Sequence, residues 1–140
     1  MKNRLMSEIV KRQNPAILPE TASVQEACRV MRDRRIGAIL VSDDNGKLAG
    51  LFTGRDAVGR VLSEARDPTA TTLRDVMTPR PDTMTPKHRA IDALRIMRDG
   101  GYRHVPIVEE DVIVGIVSYG DFHGLERARL DDETGFWEIL

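Results

Sequence analysis

A mixed α and β fold, α+β in class and made of two copies of one β-α-β-β-α unit, is predicted by three features. They are an internal repeat, a change of hydrophobic period at the same place in each copy, and a hairpin signal between the last two strands. The repeat shows in Arg29-Val30-Met31-Arg32-Asp33, which returns 66 residues later as Arg95-Ile96-Met97-Arg98-Asp99. Ile39-Leu40-Val41 returns as Val105-Pro106-Ile107, and Gly50 to Asp56 returns, one residue closer, as Gly115 to Asp121. Upstream, Met6-Ser7-Glu8-Ile9-Val10 matches Leu73-Arg74-Asp75-Val76-Met77 in pattern. The expected units are 1–66, with an N-terminal lead-in helix, and 67–140, with a C-terminal tail. Ser63 to Thr72, polar and carrying Asp67-Pro68, reads as the connector.

Each unit starts with a short extended segment, Ala16 to Leu18 or Thr83 to Thr85. Val24, Ala27, Cys28 and Met31 then fall at i, i+3, i+4 and i+7, as do Ala90, Ala93, Leu94 and Met97, giving one apolar helical stripe per unit. Ser23 and Glu26 have capping-box spacing, and Gly100-Gly101 stops the second helix. Ala38 to Val41 and Leu48 to Phe52 form a hairpin around Asp43-Asp44-Asn45-Gly46; Val105 to Val108 and Val112 to Val117 form another around Glu109-Glu110-Asp111. These strands are nearly continuous in apolar residues, which predicts cover on both faces. A second helix is expected after Asp56, carrying Val58, Val61 and Leu62, and after Asp121, carrying Leu125, Ala128 and Leu130. Units of about 50 to 60 residues are marginal alone, so the two are expected to pack with pseudo-two-fold symmetry and to form two related clefts.

Composition narrows the function. The chain has 140 residues, 41% hydrophobic and 31% charged, enough for a core under a solvated surface. A net charge of −1 supplies no field for a polyanion, so nucleic acid is not an expected partner. The single cysteine, Cys28, lies on the apolar stripe and reads as a small core residue; it can form no internal disulfide. No apolar run approaches the ~20 residues of a membrane span, and the start of the chain lacks a signal-peptide core, so a soluble, unprocessed, cytoplasmic protein is expected. His88, His104 and His123 lack metal-pair spacing, and no nucleophile elbow, phosphate loop or dinucleotide fingerprint occurs. Neither a metal, a catalytic cofactor nor an enzyme is expected.

The chemistry concentrates at two strand ends. Thr53 and Ser118 each stand where a strand gives way to a helix, and the hydroxyl with the first-turn N–H groups makes an anion site. Three residues on, Asp56 and Asp121 offer a carboxylate able to accept from the paired hydroxyls of a ribose. The same spacing is also that of a capping box, which needs no ligand, and both roles are compatible. Tyr102-Arg103-His104-Val105-Pro106 opens the second hairpin. Arg103 and His104 suit a phosphate, and Pro106, lacking an N–H, belongs at an edge or where something other than a strand approaches. An edge strand with a solvated Arg-His pair is the plain alternative.

On the two helix endings Met31-Arg32-Asp33 and Met97-Arg98-Asp99, the His104-Val105-Pro106-Ile107-Val108 strand and the two strand-end motifs, the sequence resembles the tandem CBS-domain family, or Bateman module. The resemblance covers nearly the whole chain. It implies binding of an adenosine-containing ligand, with AMP, ADP or ATP leading, by a regulatory, energy-sensing module that acts through conformational or oligomeric change. It further implies a homodimer and, with no effector in the sequence, a separate effector protein. The implied second-unit site comprises Thr83, Thr85, Tyr102, Arg103, His104, Pro106, Ser118, Gly120 and Asp121. The first-unit site comprises Ile17, Arg35, Gly37, Ala38, Thr53, Arg55 and Asp56; lacking the basic pair and the proline, it is expected to be weaker. A ligand-free scaffold and an S-adenosylmethionine or dinucleotide binder are the competing readings. The tail from Asp131 to Leu140, with Phe136 and Trp137, is expected to fold back on its own core or a symmetry mate.

Overall fold

The structure, a computed structural model, describes residues 3–122. The helix expected to carry Leu125, Ala128 and Leu130, and the tail, lie outside the described residues. The elements run α1 (Met6–Ile9), β1 (Ile17–Pro19), α2 (Val24–Arg34), β2 (Ala38–Ser42), β3 (Leu48–Thr53), α3 (Gly54–Asp56), α4 (Leu73–Val76), β4 (Thr78–Pro79), α5 (Ala90–Gly100), β5 (His104–Glu109) and β6 (Val112–Ser118). The fold is mixed α and β, and the helix, strand, strand order recurs in both repeats, the extended lead-in of the second being reduced to a bridge at Met84.

Local chemistry sets the boundaries. Ser23 caps α2 by accepting the Glu26 N–H at 3.1 Å. Gly101 ends α5 in the left-handed conformation at φ 71°, whereas Arg35 takes that role for α2 at φ 54°, a position where a Cβ is disfavoured. In the first hairpin the Asp43 carboxylate accepts from the N–H groups of Asn45 and Lys47. The second turns on Glu110 and Asp111, both left-handed as a tight hairpin requires. The helix expected after Asp56 is present, as a six-residue π-type helix over Ala57–Leu62 that continues α3 with a wider pitch. Only Val61 of its apolar residues is buried; Val58 and Leu62 are 61% and 70% exposed.

The chain divides in space into two compact units. One holds Asn14–Pro81 with Asp111–Ile113; the other, among the described residues, holds 3–13, 82–110 and 114–122. The first has a four-stranded sheet of order β1-β2-β3-β4, parallel between β1 and β2 and antiparallel elsewhere. Its core joins Val24, Ala27 and Met31 of α2 with Ile39, Val41, Phe52, Leu73, Val76 and Met77. The second pairs β5 with β6, adds an isolated parallel bridge from Met84 to Ile107, and packs Met6 and Val10 with Ala90, Leu94, Met97, Val105 and Val117.

The lead-ins are therefore exchanged: Leu73, Val76 and Met77, which precede the second repeat, complete the core of the first, while Met6 and Val10 complete the core of the second. Two equivalent glycines make room for them. A Cβ on Gly50 would lie 2.8 Å from the Thr78 carbonyl oxygen, and one on Gly115 would lie 2.6 Å from Gln13 Oε1 and 2.8 Å from Val10 Cβ. β4 pairs with β3 there by backbone. Against β6 the Gln13 side chain does the same work, its amide donating to Ile116 O at 2.7 Å and accepting from Ile116 N at 2.9 Å.

Candidate functional site

The two strand ends share one backbone geometry. Where β3 stops, the N–H of Gly54 donates to the carbonyl of Gly37 at 3.1 Å; where β6 stops, that of Tyr119 donates to the carbonyl of Arg103 at 2.9 Å. Asp56 Oδ2 accepts from the Thr53 N–H at 2.9 Å and hydroxyl at 3.2 Å, and the Asp56 N–H approaches Thr53 Oγ1 at 3.3 Å. Asp121 Oδ2 accepts in the same way from the Ser118 N–H at 2.7 Å and hydroxyl at 3.3 Å. The capping alternative is thus realised at both ends. It corrects the expectation of N–H groups awaiting an anion: those of Gly54, Asp56 and Tyr119 already have acceptors.

The carboxylates differ in their remaining oxygen. Asp56 is buried and its Oδ1 lies 3.6 Å from Arg60 Nε, one turn on. Arg60 also donates to the carbonyls of Val76 and Met77, tying the wide turn to the end of α4. Asp121 is half-buried, its backbone carbonyl accepts from Arg4, and no donor among the described residues reaches its Oδ1.

Around Ser118 the second unit gathers most of its expected residues. The Arg103 guanidinium lies over the Tyr119 ring, 4.9 Å from its centroid, and no carboxylate or carbonyl accepts from it among the described residues. His104 is half-buried, and burial holds its imidazole below the ordinary value, with Arg103 adding to the effect and Asp121 opposing it. Gly120 is exposed, and a Cβ on it would make only an ordinary contact with Ser118 Oγ at 3.9 Å. The Tyr102 hydroxyl donates to the Asp82 carboxylate, and its ring packs against Gly100 where a Cβ would collide. Burial first, then Asp82, pushes its phenol up to about 12.

Pro106 is buried in β5, which among the described residues pairs with β6 in a two-stranded sheet; on its other side stands an isolated bridge rather than a strand, with the Met84 N–H donating to the Pro106 carbonyl at 3.0 Å. In the first repeat Leu40 holds the equivalent place and donates its N–H to Ala16 O at 3.0 Å. Pro106 has no such donor, so the parallel pairing shrinks to one bridge and leaves Thr83 exposed beside it. Thr85 serves a local turn, its N–H and hydroxyl both lying against His88 Nδ1 at 3.0 and 3.1 Å.

In the first unit, Ala38 pairs with Thr53, Gly37 adjoins Gly54, and Ile17 beside Leu40 is 42% exposed. Arg35 and Arg55 are exposed and unpaired among the described residues. The sequence reading missed Tyr119 and Asp82. The repeat itself held the clue to the first, because aligning Gly37 and Gly54 with Arg103 and Tyr119 pairs two absent side chains with two present ones. Cys28 is half-buried against the core, and burial pushes its thiol up, away from nucleophilic form. Among the described residues no group of three or more His, Cys, Asp and Glu is placed to hold a metal ion.

Comparison with known proteins gives one family. The CBS domain matches twice, over residues 6–63 and 73–124. The chain is 34% identical over 116 residues to the CBS domain-containing protein CBSCBSPB1 of Arabidopsis thaliana, which covers 79% of this chain and 21% of that protein. It is 36% identical over 136 residues to the meiotically up-regulated gene 70 protein of Schizosaccharomyces pombe, covering 94% and 18%. The chain thus spans about a fifth of these relatives' length. Among solved structures, the CBS domain protein PAE2072 from Pyrobaculum aerophilum complexed with AMP aligns with a TM-score of 0.83 at 22% identity, over 92% of this chain and 99% of that one. The CBS-domain containing protein ATU1752 from Agrobacterium tumefaciens aligns with a TM-score of 0.78 at 27% identity, over 92% and 95%.

Proposed function

The chain belongs to the CBS-domain family, and on that premise we propose that it is a non-enzymatic, energy-sensing regulatory module that binds an adenosine nucleotide, AMP, ADP or ATP, at its strand ends. The observation that carries this reading is the second strand end, where, among the described residues, no acceptor takes a hydrogen bond from the Arg103 guanidinium and no donor reaches the outer oxygen of Asp121. Guanidinium N–H groups suit a phosphate, and a carboxylate oxygen suits a ribose diol. The AMP in the Pyrobaculum protein supports the choice of nucleoside. The second-unit site comprises Thr83, Tyr102, Arg103, His104, Pro106, Ser118, Gly120 and Asp121, with Thr85 bracing its turn. The first-unit site, Ile17, Arg35, Gly37, Ala38, Thr53, Arg55 and Asp56, is the weaker, because the outer oxygen of Asp56 already faces Arg60.

Ligand acts by its differential affinity for two arrangements of the module, and a separate effector protein reads the change. A cytoplasmic homodimer is the working form. No helix among the described residues is long and apolar enough to cross a membrane, and exposed Val58 and Leu62 give the dimer an apolar contact. The competing scaffold reading has an observation of its own, since Asp56 and Asp121 already accept from Thr53 and Ser118 without a ligand. Mass spectrometry of small molecules released from the purified protein, followed by calorimetric titration with AMP, ADP, ATP, S-adenosylmethionine and NAD, separates them. An adenine nucleotide in the first experiment and saturable heat in the second are expected. Silence across the panel favours the scaffold, and response to S-adenosylmethionine or NAD alone reassigns the ligand.

A further inference from the structure

The two strand ends share a backbone and differ in what stands on it. At the first, the residues joined by the closing hydrogen bond are Gly37 and Gly54, and a Cβ on Gly54 would meet nothing within 4 Å. At the second they are Arg103 and Tyr119, with the guanidinium carbon over the ring, 4.9 Å from its centroid. Some arginines of the chain use their donors on the protein itself, Arg74 on Glu20, Arg89 on the Asn3 carbonyl and Arg4 on the Asp121 carbonyl, while Arg35 and Arg55 stand exposed without an aromatic ring beneath them among the described residues. Arg103 sits over the Tyr119 ring and, among the described residues, places none of its N–H groups on any acceptor. A guanidinium held over an aromatic ring loses part of its side-chain freedom before any ligand arrives, so it meets a phosphate with less further ordering. Tyr119 is itself held, because its N–H anchors it to the Arg103 carbonyl.

We propose that Tyr119 is a positioning residue that holds Arg103 as a phosphate clamp, so that the second strand end selects phosphorylated over unphosphorylated adenosine ligands while the glycine-lined first end does not. This rests on the nucleotide-binding reading above. It adds to that reading a determinant of charge selectivity and a functional difference between the two ends.

AMP and adenosine are titrated by calorimetry into the full chain and its variants, with the His104 ring resonances reporting on this strand end. The unaltered protein is expected to prefer AMP there. Tyr119→Ala should reduce that preference about three- to fivefold, the strength of an exposed cation–π contact, by weakening AMP and leaving adenosine unchanged. Tyr119→Phe, which keeps the ring face, should retain it, and Arg103→Ala should reduce it by about tenfold or more. If Tyr119→Ala does not fold, Arg103→Lys serves in its place, since an ammonium cannot stack as a plane, and it should also lower the preference. An unchanged AMP-to-adenosine ratio in the variant read, with AMP still bound, overturns the inference and leaves the nucleotide reading standing. Binding of neither compound by the unaltered protein overturns both.

Discussion

Asp121 accepts two hydrogen bonds from Ser118 through a single carboxylate oxygen, the N–H at 2.7 Å and the hydroxyl at 3.3 Å. One oxygen thus serves the fold and the other faces outward, which separates two effects of substitution. Asp121→Ala is expected to lower stability by about 0.5 to 2 kcal/mol through loss of the cap, and to weaken AMP by about 1 to 3 kcal/mol through loss of the ribose acceptor. Urea denaturation and calorimetric titration of the same variant read the two quantities. An unchanged dissociation constant would place the ribose elsewhere.

Gly50 and Gly115 admit the exchanged lead-ins at close range. Gly50→Ala forces a methyl against the Thr78 carbonyl and the Met77 side chain, and Gly115→Ala forces one against Val10 and Gln13. Each should destabilise by about 1 to 3 kcal/mol. Thermal melting checks this, with Gly59→Ala, where a Cβ meets nothing within 4 Å, as the benign control.

Gln13 borrows the geometry of a strand with its side-chain amide. Gln13→Ala leaves the N–H and carbonyl of Ile116 without these partners and should cost about 1 to 3 kcal/mol. Gln13→Glu should be worse, because a carboxylate accepts from Ile116 N but confronts Ile116 O without a proton. Hydrogen exchange of the Ile116 amide should quicken in both variants; protection equal to that of the unaltered chain would refute the role.

His104 is held neutral by burial against its own tendency to protonate. Its native value lies below the ordinary 6.5, so the unfolded chain takes up a proton before the folded chain does. Its contribution to stability is complete above about pH 6.5 and is lost as pH falls through the depressed native value. His104→Gln should flatten the slope of stability between pH 7 and pH 5, measured by denaturant midpoints. An identical slope would show that other groups set the acid response.

The architecture was legible because hydrophobic period is a local signal. Val24, Ala27 and Met31 announce a buried helical face, and Ile39 to Val41 a buried strand, whatever they pack against. The exchange of lead-ins was not legible for the same reason: Met6 and Leu73 declare burial without naming the partner that buries them. Arg35 in a left-handed cap and the π-type turn at Ala57–Leu62 carry no compositional mark either. At the strand ends, hydroxyl and acid spacing led directly to Thr53, Asp56, Ser118 and Asp121, and the caps are where that spacing puts them. Tyr119 escaped because its role depends on the side chain of Arg103, brought near by strand pairing rather than by sequence.

The crossed-over lead-ins also dictate an order of events as the polypeptide leaves the ribosome. Met6 and Val10 emerge before their neighbours Ala90, Leu94 and Val105, which arrive some eighty or more residues later, after the Asn14–Pro81 body has everything it needs except Asp111–Ile113. That earlier stretch must therefore wait while the other unit is nearly finished. During that interval its apolar side chains are the ones a chaperone, or a second nascent copy, would meet.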